Sequence, residues 1–214
     1  PRERRGRPAG PRGSGPPRGR SGPARPPEID PARLAALELL TAVRVRDAYA
    51  NLNNAVLHAA NQGVTINEIQ NVYKLPESLK NNWATHSYHG SEEHNSRAVI
   101  NRYLGYWDAN PATLMPLSPK NSAPLYVEMM GGADKIMTKG QSLFDQGKYR
   151  EAYEILNKLV YAEPQNSKAK DLLADVYEQV GYQKESAGVR NSFLSAAYEL
   201  RHRIDVPYRV VINE

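Results

Sequence analysis

The stretch GQSLFDQGKYREA, residues 140–152, decides the fold of this chain. When the sequence is compared with itself at a shift of 34 residues, Gly140 falls on Ala174 and Gly147 falls on Gly181. Small, hydrophobic and glycine positions with this spacing and period are typical of the tetratricopeptide repeat, in which each unit is a pair of antiparallel helices. The pattern therefore predicts an all-α fold, an antiparallel helical bundle, for this part of the chain.

Two such tetratricopeptide-like (TPR-like) repeats are predicted over residues 133–200. The small residues at positions 140, 152 and 174 would let neighbouring helices approach closely. Gly147 and Gly181 would serve the turns between helices, where a positive φ is often needed. Because about three repeats are usually needed for a stable stack, we expect these two to pack on the preceding helices, on a second copy of the chain, or on both.

Helical signals continue upstream of the repeats. Asp30 is a preferred N-cap residue and Pro31 suits the first helical position, so an amphipathic helix is predicted over residues 30–51. Apolar residues on one face continue this pattern beyond residue 52, and Gly63 is the expected helix stop.

The stretch NSRAVINRYLGYW, residues 95–107, places aliphatic and aromatic residues at helical spacing. Such residues are expected to lie in the core; they are Val99, Ile100, Tyr103, Leu104 and Trp107. The proline-rich stretch from Asp108 to Pro124 is interpreted as a connection longer than most loops, which we expect to follow the surface or to carry function.

The net charge of +5 is concentrated at the N-terminus. Residues 1–28 hold eight arginines against two glutamates, a balance of +6, and they contain no aromatic residue and no Val, Ile or Leu. A segment of this composition cannot bury enough apolar surface to offset its ordering entropy, so residues 1–29 are predicted to form a disordered basic tail. It is either a solubilising linker or a weak, salt-sensitive nucleic-acid arm. The candidate nucleic-acid residues are Arg2, Arg4, Arg5, Arg7, Arg12, Arg18 and Arg20.

The tail and the helix ARLAALELLTAVRVRDAYANL, residues 32–52, resemble the start of bacterial rRNA cytosine methyltransferases. Those enzymes begin with a helical RNA-binding domain, so the resemblance implies an RNA-binding module as one alternative function. The resemblance ends near residue 51. Because the chain contains no cysteine, the cysteine-dependent methyl transfer of that family is excluded here.

The segment HSYHGSEEHN, residues 86–95, gathers three of the five histidines beside two glutamates. His86, His89 and His94 are interpreted as lacking the partners for a closed zinc site, unless two chains pool their ligands. Structural roles are the favoured interpretation, with substrate contact and metal binding as alternatives. No catalytic residue and no metal ligand is assigned in this chain.

A second and longer resemblance covers residues 52–201. The stretches that carry it are YHGSEEHNSRAVINRYLGYWDANPATL (88–114), YVEMMGGADKIM (126–137), LNKLVYAEPQN (156–166) and LLADVYEQVGYQKESAGVRNSFLSAAYELR (172–201). They resemble the dimerisation domain of the zinc-dependent alkylsulfatases, which hydrolyse alkyl sulfate esters. The resemblance implies a dimerisation module that forms a homodimer and has no turnover by itself.

In that family the zinc ions lie in a preceding catalytic domain with an HxHxDH motif, which is missing here. The resemblance therefore implies no cofactor in this chain and zinc in the family's catalytic domain. The family segment YYGSxSHN corresponds to residues 88–95, in a loop that approaches the sulfate pocket. Tyr88, whose hydroxyl could donate to a sulfate oxygen, and His89, which replaces the second tyrosine, are the substrate-loop candidates.

Residues 202–214 depart from this family. Tyr208, Val210 and Ile212 alternate with other residues, which predicts a short strand-like C-terminal end. Two changes of resemblance, near residues 51 and 201, suggest a composite chain, and the absence of an initial Met suggests a fragment. No apolar run approaches the roughly 20 residues of a membrane span, and nothing in the sequence indicates a compartment. The predicted organisation is tail 1–29, helix 30–51, dimerisation domain 52–201 and extension 202–214.

Overall fold

The computed structural model describes residues 30–204, and this range is helical without a strand. The all-α prediction is confirmed. The helices are α1 (Pro31–Asn61), α2 (Ile69–Val72), α3 (Glu77–Lys80), α4 (Glu92–Leu104), α5 (Pro111–Leu114), α6 (Pro119–Met129), α7 (Ala133–Asp145), α8 (Tyr149–Ala162), α9 (Ser167–Tyr182) and α10 (Ala187–Arg201), with a 3-10 turn at Trp83–Thr85.

The chain separates into two compact units between Leu39 and Leu40. In the first unit the described residues are the first turns of α1, where the Ala32 amide donates to Asp30 Oδ1 at 3.0 Å. The N-cap predicted at Asp30 is therefore confirmed, with Pro31 at the first helical position. The same helix continues past residue 51 without interruption and ends at Asn61, just before Gly63 with its φ of +89°. The domain boundary placed at residue 51 stays a prediction.

The larger core of the second unit joins helices α6 to α9. Leu156 and Leu159 of α8 are fully buried in it, and burial of one such side chain stabilises the fold by about 1.5–3 kcal/mol. The buried members of this core are Val127, Ile136, Leu143, Ala152, Leu156, Leu159, Ala169, Leu172, Leu173 and Val176. Gly140, Ala152 and Ala174 are all buried, so the predicted close approach of helices at the small residues is confirmed.

A smaller core joins the C-terminal half of α1 to α2 and α4. Val56 and Ile69 are fully buried there. The other buried members are Ala59, Ile66, Tyr73 and Ile100. This core fixes the position of the segment that runs from α2 to the start of α4, which contains the histidine cluster.

Only one of the two turn glycines has the predicted role. Gly147 joins α7 to α8 with a φ of +71°, as expected. Gly181 instead lies buried inside α9, where an added Cβ would be 2.9 Å from Leu194 Cδ2 of α10. Its turn role was wrongly predicted, because a small residue was needed for helix contact and not for backbone freedom. The assignment of the repeats as TPR-like stays a prediction.

Two further expectations are corrected downstream of α4. Ile100 is buried and Val99 half-buried, but Tyr103, Leu104 and Trp107 are exposed instead of forming core. The stretch Asp108–Pro124 is not a plain connection, since it contains α5 and the first half of α6. The stretch does form a helix, α4, as its spacing predicts. No surface among the described residues covers Tyr103, Leu104 and Trp107.

The remaining sequence expectations fall mainly outside residues 30–204. The tail with its candidate arginines and the strand-like residues Tyr208, Val210 and Ile212 belong to the part of the chain that is not described. Residues 202–204 follow α10 as a turn. Among the helices described, none combines the length and the hydrophobicity that a membrane crossing requires.

Candidate functional site

The loop that carries the histidine cluster is fastened to the connection between α9 and α10. The Ala187 amide donates to the Tyr88 carbonyl at 2.9 Å, and the Ser186 hydroxyl donates to the His89 carbonyl at 2.8 Å. His86 Nδ1 lies 3.2 Å from Glu185 Oε1. These contacts cross almost a hundred residues of sequence, so they give residues 86–90 a defined backbone course without regular secondary structure.

Tyr88 and His89 both lie in this loop and both are exposed. The Tyr88 ring stacks on His86, with ring centroids 5.7 Å apart. The two candidates line a common cavity of about 240 Å³. The structure therefore brings the two predicted substrate-loop residues together, while their contact with a substrate stays a prediction.

His94 has a different place. Ser91 caps α4 by accepting a hydrogen bond from the His94 amide at 3.3 Å, and His94 Nδ1 lies 2.6 Å from the same hydroxyl. His86 faces Glu185 instead. Within residues 30–204, no group of three His, Asp or Glu side chains is arranged to hold a metal ion.

The cavity beside Tyr88 and His89, hereafter the loop cavity, is closed on its other sides by the second half of α1 and by the start of α4. Its apolar wall consists of Val45, Ala48, Leu52 and Leu75. Its aromatic wall includes Tyr49 and Tyr73, and Glu92 is its carboxylate. No lysine or arginine lines it.

Tyr73 is the deepest polar group of the loop cavity. Burial, reinforced by the negative charge of Glu92, raises the pKa of the Tyr73 phenol to about 12. Its hydroxyl donates to Asn51 Oδ1 at 3.3 Å. Tyr73 is therefore neutral at physiological pH, and Glu92 close by is an acidic group that an incoming cation would meet.

A larger cavity of about 730 Å³ lies on the other side of α4's first turn. It is lined by charges of both signs, namely Lys74, Glu92, Glu93, Arg97, Arg150, Glu151, Glu154 and Lys184. Arg150 Nη1 pairs with Glu93 Oε1 at 3.1 Å, which ties α8 to α4. The balanced charge of this cavity does not favour one sign of ligand.

The surface feature that the sequence predicted only in part is residues 103–129, hereafter the arm. Every residue from 109 to 121 is exposed, including α5. Large hydrophobic side chains are exposed all along it: Tyr103, Leu104, Tyr106, Trp107, Leu114, Met115, Leu117, Leu125, Tyr126 and Met129. Met115 is 87% exposed and Met129 is 85% exposed. Exposed apolar surface on this scale marks an interaction site.

The base of the arm is nevertheless ordered by a local network. The Asn110 amide donates to Asp108 Oδ1 at 3.1 Å, and the Thr113 hydroxyl donates to the same oxygen. The Trp107 indole donates to the Asn110 carbonyl at 3.0 Å. The Thr113 hydroxyl and the Asn110 amide hold the pKa of Asp108 below its ordinary value. The turn therefore presents Trp107 in one orientation.

The alkyl sulfatase dimerisation family matches residues 65–203. An (R)-specific secondary-alkylsulfatase of Pseudomonas sp is 46% identical over 160 residues, which are 74% of this chain and 24% of that protein. The alkyl/aryl-sulfatase BDS1 of Saccharomyces cerevisiae is 42% identical over 159 residues, 74% of this chain and 25% of that protein.

A solved structure gives the same result at the level of the fold. The stereoselective inverting sec-alkylsulfatase Pisa1 from Pseudomonas sp. superposes with a TM-score of 0.72 at 46% identity, over 76% of this chain and 26% of that one. The chain thus spans about a quarter of the length of the relatives it matches. The arm lies entirely inside the matched residues.

Proposed function

The chain belongs to the alkyl sulfatase dimerisation family, and from that premise we propose that it is a homodimerisation module whose arm forms the contact between two copies. The observation that carries the proposal is the exposure of ten large hydrophobic side chains between Tyr103 and Met129. A second copy of the chain would remove these side chains from water on both partners at once, as a two-fold symmetric contact does.

Helix α6 supports this proposal because it has two apolar faces. Ala123 and Val127 are buried and pack α6 on α8. Leu125 and Met129, one turn apart from each other, project from another face and are exposed. A surface helix that packs against the protein core with one face normally has polar side chains on the opposite face. The second apolar face of α6 is therefore explained by a second packing partner.

Charge gives further support. The arm contains three charged residues, Asp108, Lys120 and Glu128. Asp108 is already engaged by Thr113 and Asn110 in the turn. Depletion of charge with enrichment of aromatic residues and Met is typical of the centre of a protein interface, because a buried unpaired charge is costly.

Alkyl sulfate hydrolysis and its zinc chemistry are proposed to belong to the three quarters of such proteins that this chain does not match. The residues described here offer no group of metal ligands in support of another assignment. Tyr88 and His89 are proposed as residues that this module presents toward the catalytic part. Their exposure and the fastening of their loop by Ser186 and Ala187 support that role.

Light scattering behind size exclusion tests the dimer and the arm together. The wild-type chain is expected to have twice the 23.9 kDa mass of one chain. The Leu125→Glu/Met129→Glu variant is expected to be monomeric, since two carboxylates would then face the partner. Val72→Glu is the matched control, because Val72 is an exposed hydrophobic residue of α2 outside the arm. A dimer that survives the double variant, or a monomeric wild type, contradicts the proposal.

RNA binding remains the second candidate, and the clustering of eight arginines in residues 1–28 is the observation that favours it. Binding through such a tail would be independent of sequence and would weaken steeply with salt. Deletion of residues 1–28 is expected to abolish binding to a single-stranded RNA in a salt titration. Equal binding by the deleted and the full chain eliminates this candidate.

A further inference from the structure

The loop cavity has the wall chemistry of a site for a small organic cation, and we propose that it binds a quaternary ammonium group. This inference is independent of the proposed dimerisation, since none of the residues that line the loop cavity belongs to the arm. Three observations carry it: the aromatic wall, the sign of the charge and the apolar floor.

The aromatic wall comes from separate segments that meet at the cavity. Tyr49 belongs to α1, Tyr73 follows α2, and Tyr88 lies in the loop, with the imidazole rings of His86 and His89 beside it. The face of an aromatic ring attracts a cation through its quadrupole, by about 0.5–2 kcal/mol for each well-placed ring. Several rings around one cavity are the arrangement by which proteins recognise quaternary ammonium groups.

The sign of the charge is also right for a cation. Glu92 is the one carboxylate among the residues that line the cavity, and no lysine or arginine accompanies it there. The Leu75 amide donates to Glu92 Oε2 at 3.4 Å, which orients the carboxylate. The larger cavity differs, since four lysine and arginine side chains line it beside four glutamates, so that its charges balance.

The apolar floor selects the kind of cation. Val45, Ala48, Leu52 and Leu75 give the cavity four aliphatic side chains, beside the polar side chains of Thr85, Ser87 and Asn95. A quaternary ammonium group has no N–H donor to satisfy, and its methyl groups gain from contact with aliphatic side chains. The volume of about 240 Å³ accommodates a head group of the size of choline.

Choline and its uncharged isostere, 3,3-dimethylbutan-1-ol, provide the test. Both are titrated into the full chain, and binding is followed by NMR line shifts and by tyrosine fluorescence. Choline is expected to bind at least about tenfold more tightly than the isostere, since the two differ in charge and not in shape. Equal affinities, or no saturable binding of choline, overturn the proposal.

Two pairs of variants separate charge from ring contact. Glu92→Gln is expected to remove most of the preference for choline, while Glu151→Gln, which lies in the larger cavity, leaves it unchanged. Tyr88→Phe keeps the ring and is expected to keep the affinity, whereas Tyr88→Leu weakens it several-fold. If Glu92→Gln retains the full preference, or if Tyr88→Leu binds as well as Tyr88→Phe, the assignment of this cavity is wrong.

Discussion

Gly140 of α7 faces Leu156 of α8 so closely that a methyl group on Gly140 would lie 2.8 Å from Leu156 Cδ2. Leu156 is fully buried in the larger core. The contact between these helices therefore depends on the missing side chain at position 140. The same glycine begins the motif from which the helical fold was predicted.

Gly140→Ala is expected to destabilise the chain even though alanine is the better helix former. The higher helix propensity of alanine would add about 1 kcal/mol to the free energy of unfolding, while overpacking against Leu156 would remove about 1–3 kcal/mol. The net effect expected in urea unfolding is a loss of up to about 2 kcal/mol. Gly188→Ala in α10 is the control. The added methyl group would lie 3.4 Å from its nearest neighbour, so the variant should be as stable as wild type or more stable. A Gly140→Ala variant that gains as much stability as Gly188→Ala would rule out tight packing here.

Ser186→Ala is expected to loosen the loop that presents Tyr88 and His89. The Ser186 side chain is 3% exposed, and its hydroxyl both donates to the His89 carbonyl and accepts the Val189 amide at the start of α10. Loss of a cap and of a buried hydrogen bond costs about 1–2 kcal/mol. Amide exchange of Ala187, which donates to the Tyr88 carbonyl, should accelerate. Ser192→Ala removes an exposed hydroxyl contact within α10 and should change neither quantity.

The raised pKa of Tyr73 predicts a loss of stability in alkali. The pKa of this phenol is about 12 in the folded chain and about 10 when the chain is unfolded. Its contribution to the free energy of unfolding is therefore fully present below pH 10. That contribution is lost as the pH rises from about 10 to about 12. Tyr73→Phe should therefore show a flatter fall of the urea midpoint over this range than wild type. Tyr182→Phe, at an exposed phenol, is the control, and parallel curves for all three proteins would refute the assignment.

The lowered pKa of Asp108 predicts that acid loosens the base of the arm. The ionised carboxylate accepts the Thr113 hydroxyl and the Asn110 amide, so its contribution is present above about pH 4 and is lost as the pH falls through the lowered pKa. With Trp83→Phe, Trp107 becomes the one tryptophan and reports on this turn. Its emission should shift in acid, and Asp108→Asn should remove that pH dependence. If the Asp108→Asn variant shows the same shift of Trp107 emission in acid, the shift is caused by a group other than Asp108.

Much of the helical core was predictable because it rests on local rules. Asp30 and Pro31 predicted the start of α1, and Gly147 predicted the turn between α7 and α8. Gly181 shows the limit of such rules. A repeat alignment cannot tell a glycine that needs a positive φ from one that needs a small side chain against Leu194, since that distinction depends on the neighbouring helix.

The candidate residues were chosen from the sequence and their role stays a prediction, whereas their surroundings could not be predicted. Tyr88 and His89 were selected from the sequence, whereas their fastening by Ser186 depends on a contact between distant parts of the chain. The first part of the arm was wrongly placed in the core for a related reason. Helical spacing at Tyr103 and Trp107 indicates that these side chains need cover, but it does not indicate whether the cover comes from the same chain or from another one.

The central claim, that two copies meet through the arm, is tested most directly by hydrogen–deuterium exchange of the arm. Wild type and the Leu125→Glu/Met129→Glu variant are compared at equal concentration, with peptides from α9 as the internal reference. The account predicts that peptides within residues 103–129 exchange more slowly in wild type, while α9 exchanges equally in both. Equal exchange of the arm in the two proteins would contradict the account and leave the exposed apolar surface without a partner copy.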